Sequence, residues 1–195
     1  IATNGTVLCM LYGAMMGNYN ALYLPMMIAG YVFPAPFFAL TVRTSQKHGQ
    51  KASLMRYVAL ALIMYVGVLA LLLFWQPGNA AFNLSLTHIN VSTILVVVFF
   101  GVGYGAYYAT ADMPIPMVAD CSDYETYRSG KYIPGVMGTL FSLVDKLVSS
   151  LSSTVVGLAV AAIGLSTLPG GDTPYVEGMK TIVLILFCVI PMVAW

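Results

Sequence analysis

Apolar residues along the chain fall into six long runs, and the charged and turn-forming residues lie between them. A bilayer has a hydrocarbon core about 30 Å thick, which a helix of about 20 apolar residues spans. The runs cover residues 1–17, 21–42, 54–75, 91–112 and 134–165, and a last one begins near residue 178. The pattern therefore predicts an all-α integral membrane fold with six transmembrane helices.

The two ends of the chain both lie inside apolar runs. The sequence opens at Ile1 with the apolar pattern already under way, and it stops at Trp195 within another such run. We therefore expect residues 1–195 to form a single six-helix bundle that is truncated within its first and last helices.

Composition supports a lipid environment. Hydrophobic residues make up 59% of the chain and charged residues 8%, whereas ordinary soluble domains have about 45–50% and about 25%. The net charge is only +1, so nucleic acid, which requires a concentrated basic surface, is excluded as a partner. The three cysteines lie far apart, without the spacing of a metal site or a disulfide framework. No metal site is expected.

Basic residues between the runs indicate the orientation. Arg43, Lys47, Lys51 and Arg56 lie between the second and third runs, whereas residues 76–90 contain neither Lys nor Arg. Loops rich in Lys and Arg face the cytoplasm. Lys47 and Lys131 are thus predicted to be cytoplasmic and His88 external.

Two charged residues lie deep within the fifth run. Asp145 and Lys146 follow Pro134 by about eleven residues, and a rise of about 1.5 Å per residue puts them roughly 16 Å into the helix, close to the midplane. A charge at that depth costs on the order of 2.5–3.5 kcal/mol. Either the two side chains form a buried ion pair that fixes helix register, or they serve transport; we favour the functional interpretation.

A second charged cluster follows the fourth run. Charged segments at a membrane surface are commonly just solvated, and a functional role is the alternative. The candidate members are Asp120, Asp123, Tyr124, Arg128 and Lys131.

Small and hydroxylated residues mark two of the runs. Gly101, Gly105 and Ala109 recur at four-residue spacing in the fourth run, a pattern that allows membrane helices to approach closely. Residues 149–154 of the fifth run are mostly Ser and Thr, which either bond back to their own helix or line a wet cavity.

A specific motif lies in residues 113–147, MPIPMVADCSDYETYRSGKYIPGVMGTLFSLVDKL. It resembles the segment between the tenth and eleventh helices of the glycoside, pentoside and hexuronide cation symporters, the melibiose permease-like group of the major facilitator superfamily. The matching positions are Ala119-Asp120, Asp123-Tyr124, Gly130-Lys131, Gly135 and Lys146. The start of the chain gives weaker support for this resemblance. The basic loop around Gly49 also supports it weakly, because it resembles the turn after helix eight of that family.

This resemblance implies that the chain is the carboxyl-terminal half, helices seven to twelve, of a twelve-helix transporter with a midplane sugar site. The missing amino-terminal half would be its partner and would bind most of the coupling ion, Na⁺ or H⁺; no other cofactor is implied. A bacterial cytoplasmic (inner) membrane is the expected location. The candidate substrate or coupling residues are Lys146, Asp145, Asn4 and Tyr104, and the cluster from Asp120 to Lys131 is a candidate cytoplasmic gate.

Three alternatives to sugar symport remain. A facilitator-type carrier of a non-sugar solute would have the same six helices, and only the motif argues against it. An intramembrane enzyme would require a nucleophile motif or a metal cluster, and the sequence has neither. A non-transporting scaffold would not require charges at the midplane, where this sequence has two. Of these classes, we therefore expect a transporter and not an enzyme.

Overall fold

The computed structural model describes residues 3–76, 90–132 and 134–195, and His88 lies outside them. Every regular element in these ranges is helical. In chain order they are α1 (Gly5–Leu8) with the π-helical segment Cys9–Met15, α2 (Tyr19–Val32), α3 (Pro34–His48), α4 (Gln50–Leu73), α5 (Val91–Tyr108), α6 (Pro114–Ser129), α7 (Pro134–Ala162), α8 (Met179–Leu184) with the π-helical segment Ile185–Val189, and α9 (Ile190–Ala194).

The predicted all-α membrane fold is confirmed. Four helical stretches in the described residues are long and apolar enough to cross a bilayer: Tyr19–His48, Gln50–Leu73, Val91–Tyr108 and Pro134–Ala162. Two shorter apolar helices, Gly5–Met15 and Met179–Ala194, correspond to the first and last predicted runs. Each of the six runs is thus helical in the structure.

Proline and glycine shape the second span and the turn after it. Phe33 separates α2 from α3, and Pro34 begins α3; because proline has no N–H to donate, the helix is interrupted there. Gly49 alone connects α3 to α4 and has a φ of 85°, a conformation that glycine adopts at little cost. The two helices therefore reverse direction within one residue.

The charged segment after the fourth run forms a helix of its own. The α5 helix ends at Tyr108, before the predicted limit at residue 112, and α6 begins at Pro114. Proline is favoured in a first helical turn, and Gly130, with a φ of 70°, ends α6 in the left-handed conformation typical of helix termini.

The core lies where α4 and α5 pack against each other and against the end of the chain. Tyr65 of α4 is fully buried, and its ring contacts those of Phe100, Phe187 and Trp195, with centroids 4.6–6.4 Å apart. A Cβ on Gly103 would lie 3.0 Å from the Tyr65 ring. A side chain at position 103 would therefore displace this aromatic cluster.

The small residues of α5 allow the close approach that the sequence predicts. A Cβ on Gly101 would lie 2.7 Å from the Phe33 ring, and one on Gly105 would lie 3.1 Å from the Phe33 backbone. The junction between α2 and α3 therefore packs directly against the backbone of α5.

The α7 helix, in contrast, is exposed along most of its length. Residues 138–151 are all exposed, and Val156 and Val160 near its end are the residues of α7 that are buried. The hydroxyl groups of Ser150 and Thr154 donate to the carbonyl oxygens of Leu147 and Ser150, at 2.9 and 3.4 Å. These two hydroxyls thus bond back to their own helix.

Candidate functional site

A cavity of about 260 Å³ lies between the start of the chain, α2 and α5. Its volume is close to the lower end of the ~300–1,000 Å³ range of small-molecule pockets. The residues that line it are Thr3, Leu8, Tyr12, Tyr23, Met26, Met27, Gly30, Tyr31, Phe100 and Tyr104. We refer to it as the tyrosine cavity.

Helical spacing brings these side chains to one place. Residues 23, 26, 27, 30 and 31 of α2 follow the i, i+3, i+4, i+7, i+8 pattern of a single helix face. Leu8 and Tyr12 lie four residues apart near the start of the chain, as do Phe100 and Tyr104 in α5, so each pair shares a face. Three helix faces thus meet around the cavity.

Aromatic stacking fixes the Tyr104 ring. Its centroid lies 5.4 Å from that of Phe100 and 5.7 Å from that of Tyr108, with interplanar angles of 14° and 28°. Phe100 in turn stacks on Phe187 at 5.4 Å. Opposite Tyr104 lies Gly30, where an added Cβ would approach the Tyr104 ring to 3.6 Å. The absence of a side chain at position 30 therefore leaves room beside the Tyr104 ring.

The chemistry of the lining is neutral. Five of its side chains carry a hydroxyl group, five are apolar or absent, and none carries a charge. Hydroxyls both donate and accept hydrogen bonds, and aromatic faces pack against flat apolar surfaces. The tyrosine cavity thus suits an uncharged solute that has both hydrogen-bonding groups and an apolar face.

Two of the residues predicted from the sequence lie at or beside this cavity. Tyr104 lines it. Asn4 precedes α1, where its Oδ1 accepts a hydrogen bond from the Thr6 N–H at 3.0 Å and caps the helix; its neighbour Thr3 lines the cavity. Asn4 therefore stabilises the N-terminus of α1 as its N-cap residue.

Asp145 and Lys146 do not lie at the tyrosine cavity. Both are exposed on α7, and no residue of that helix lines the cavity. Within the part of the chain that the structure describes, no carboxylate forms an ion pair with Lys146. The structure thus does not bring Lys146 and Tyr104 together.

The candidate gate cluster lies on α6 and just after its end, and it is also exposed. Asp120 accepts a hydrogen bond from the Gln50 Nε2 at 3.3 Å, which connects α6 to the turn between α3 and α4. Asp123, Tyr124, Arg128 and Lys131 are exposed and form no side-chain hydrogen bond in the described residues. The Gln50 contact thus places Asp120 beside the turn between α3 and α4.

Most of the cavity residues were not among the sequence candidates. The charge pattern points to none of Tyr12, Tyr23 and Tyr31, because the cavity that they line is uncharged. The signal that was available is the combination of tyrosine and glycine on one face of α2, where Tyr23, Gly30 and Tyr31 share the same helical stripe.

Comparison with known proteins identifies related sequences. The model of a family described as MFS/sugar transport protein matches residues 7–195. A curated relative from Pseudescherichia vulneris, named Uncharacterized 29.9 kDa protein in crtE 3'region, is 27% identical over 145 residues, which are 74% of this chain and 47% of that protein. The chain spans about half the length of this relative. No solved structure matches the chain.

Proposed function

The chain belongs to the MFS/sugar transport protein family, and we propose that it is the carboxyl-terminal half of a secondary transporter that carries a glycoside or related sugar together with Na⁺ or H⁺. Family membership identifies a transporter of the major facilitator type in the membrane. The sugar, the coupling ion and the assignment to helices seven to twelve are our proposal. The amino-terminal half would supply the opposite wall of the transport path and most of the ion ligands.

The observation that carries this proposal is the composition of the tyrosine cavity. A sugar presents hydroxyl groups around its rim and C–H groups on its faces. The hydroxyls of Tyr12, Tyr23 and Tyr31 provide donors and acceptors, and the aromatic rings of the lining provide apolar surface. Because no charged residue lines the cavity, a peptide or an organic acid would leave its charge uncompensated there.

Lys146 is our candidate for coupling the ion to the sugar. Since an ammonium group at the bilayer centre costs on the order of 2.5–3.5 kcal/mol, it requires a carboxylate, a sugar hydroxyl or cavity water as a partner. The described residues offer it no carboxylate, so the partner is expected in the other half. A cation that competes with Lys146 for the same carboxylates would release it toward the substrate. Asp145 would contact a neighbouring helix.

The α6 cluster is proposed to act as a cytoplasmic gate or anchor. Its members are exposed at the end of the molecule that holds the basic α3–α4 turn, and Asp120 is bonded to Gln50 of that turn at 3.3 Å. A solute bound in the tyrosine cavity would not contact them. We therefore expect Asp120 and Asp123 to affect conformational exchange and not the affinity for sugar.

A carrier of a non-sugar solute is the second candidate, and the apolar part of the lining favours it. Leu8, Met26 and Met27 would contact an apolar solute more favourably than a sugar. Under this alternative the solute is still uncharged, but its binding depends on the aromatic rings and not on the tyrosine hydroxyls.

Equilibrium binding of neutral mono- and disaccharides to the purified full-length protein tests the proposal. Tyr104→Ala is expected to weaken sugar binding about tenfold, because stacking and burial of the ring are lost. Tyr104→Phe is expected to weaken it only severalfold, because one hydroxyl contributes about 0.5–1.5 kcal/mol.

Tyr127→Ala is the matched control, since Tyr127 is 90% exposed on α6, and it is expected to leave sugar affinity unchanged. Binding of an apolar neutral solute with no measurable sugar binding would favour the second candidate. Unchanged sugar affinity in Tyr104→Ala would refute the assignment of the tyrosine cavity as the sugar site.

A further inference from the structure

A small groove lies on the outer side of the α3–α4 hairpin, at the end where Gly49 connects the two helices. Its volume is about 150 Å³. The residues that line it are Leu40, Arg43, Thr44, Lys47, His48 and Arg56. We refer to it as the basic groove, because four of its six side chains are basic.

Helix geometry concentrates these basic side chains. Arg43 and Lys47 lie four residues apart on α3 and therefore share a face with Leu40. The sharp reversal at Gly49 then returns α4 past the same face, so that Arg56 completes the groove from the neighbouring helix. The reversal places two guanidinium groups and an ammonium group around one small volume.

The basic groove contains no compensating negative charge. No carboxylate of the described residues lies within 4.0 Å of Arg43, Lys47 or Arg56. The acidic α6 helix approaches the same turn through Asp120, which accepts a hydrogen bond from Gln50 and lines a separate groove together with Lys51. Like charges that line one groove without a counter-ion repel one another, so an anion bound there would be stabilised.

The hydroxyl groups at the base of the basic groove already have partners. Thr44 Oγ1 donates to the Leu40 carbonyl oxygen at 2.8 Å and lies 3.1 Å from the Tyr57 hydroxyl. Because the Thr44 proton goes to Leu40, the Tyr57 O–H donates to Thr44. An anion in the groove would therefore be bound by the guanidinium and ammonium groups, which match phosphate oxygens in geometry and charge.

The surroundings indicate that this anion comes from the bilayer. The basic groove lies at the joined ends of two membrane spans, Tyr19–His48 and Gln50–Leu73. Leu40 in its lining is 46% exposed. An apolar surface directly beside a basic cluster is what a phospholipid requires, since its acyl chains begin where its phosphate ends.

We propose that the basic groove binds the phosphate headgroup of an anionic phospholipid, with the start of an acyl chain against Leu40. Arg43 and Arg56 hold the phosphate oxygens from two helices, and Lys47 adds a third positive charge at the rim. The bound lipid neutralises the cluster and holds the α3–α4 hairpin at the membrane surface. This inference concerns the lipid-facing side of the hairpin and does not depend on the transported solute.

Lipid binding to the purified full-length protein in detergent tests the proposal. Native mass spectrometry measures bound phosphatidylglycerol and phosphatidylcholine, and the melting temperature is followed in parallel. A basic residue that contacts the bound headgroup contributes roughly a fivefold change in affinity for anionic lipid. Arg43→Gln with Arg56→Gln is therefore expected to weaken phosphatidylglycerol binding by roughly 30-fold.

The matched control is Lys51→Gln with Lys131→Gln, which removes two basic residues from the same end of the molecule but from outside the basic groove. It is expected to retain phosphatidylglycerol binding. Equal losses in the two double variants would overturn the proposal, because they would show a general charge effect. Equal binding of phosphatidylcholine, or complete displacement of the lipid by inorganic phosphate, would also overturn it.

If the double arginine variant fails to fold, a single substitution tests lipid binding at the basic groove. Lys47 is exposed at the edge of the groove, so Lys47→Gln is expected to fold and to weaken phosphatidylglycerol binding roughly fivefold. Lys51→Gln is expected to leave that binding unchanged. The same affinity in both single variants would refute the site.

Discussion

The α5 and α7 helices are both apolar enough to cross a membrane, but the chain surrounds them very differently. In α5, 44% of the apolar stretch is buried, against 11% in α7. The glycines of α5 face Phe33, Met64 and Tyr65 at contact distance, whereas Gly135, Gly138 and Gly157 of α7 face open space. Apolar composition alone therefore specifies that a helix enters the membrane but not whether it packs inside its own bundle.

The difference has a consequence for function. The helices that pack tightly build the tyrosine cavity, whose side chains are neutral and fixed by their neighbours. The exposed helix carries Asp145 and Lys146, which the described residues leave without an ion pair. In the transporter that we propose, the first set holds the solute, and α7 contacts the other half of the molecule.

Replacement of Lys146 is expected to have the largest effect on transport. Lys146→Ala in the full-length protein should abolish ion-driven sugar accumulation in vesicles, because no other cation on α7 can replace the ammonium group. The variant should still fold and insert, and its melting temperature is measured in parallel to check this. Asp145→Asn serves as the matched variant and should be milder. Normal accumulation with normal ion dependence in Lys146→Ala would exclude the coupling role.

Glycine replacement measures the packing contrast directly. Gly101→Val places a branched side chain where even an added Cβ would lie 2.7 Å from the Phe33 ring. Overpacking of this kind costs typically 1–3 kcal/mol. Gly138→Val introduces the same residue into α7 at a position where an added Cβ would have no neighbouring atom within 4 Å. Thermal unfolding in detergent should show a clear loss for position 101 and little change for position 138. Similar losses at both positions would mean that helix propensity and not packing dominates.

The sequence predicted the six apolar helices and their approximate ends because length and hydropathy suffice for that purpose. It did not predict α6, since this charged helix of 16 residues contains no run of about 20 apolar residues. Pro114 at its start and Gly130 after its end were the available signals. The tyrosine cavity was predicted only at Tyr104, because the faces that meet there depend on how three helices pack, which no single helix pattern encodes.

Lys180 is expected to contribute a smaller amount of stability within the packed region. Its Nζ donates to the carbonyl oxygens of Leu73 and Trp75 at 2.8 and 2.6 Å, and so caps the end of α4 from the start of α8. Carbonyls in a last helical turn have no partner in their own helix. Lys180→Met retains most of the side-chain volume and should cost about 1 kcal/mol, because the site is partly exposed. Lys131→Met, which removes an exposed lysine after α6, should cost nothing measurable by the same thermal unfolding.

The smallest effect on stability is expected for the α6 cluster. Asp120 makes one exposed hydrogen bond to Gln50, at 3.3 Å, and Asp123 makes none in the described residues. Asp120→Asn with Asp123→Asn should therefore change stability by no more than about 0.5 kcal/mol. If the cluster acts as a gate, the same variant should lower the initial rate of sugar uptake severalfold at unchanged equilibrium affinity, because the cluster lies away from the tyrosine cavity. Loss of equilibrium sugar binding in a protein with a normal melting temperature would instead place these carboxylates in contact with the solute.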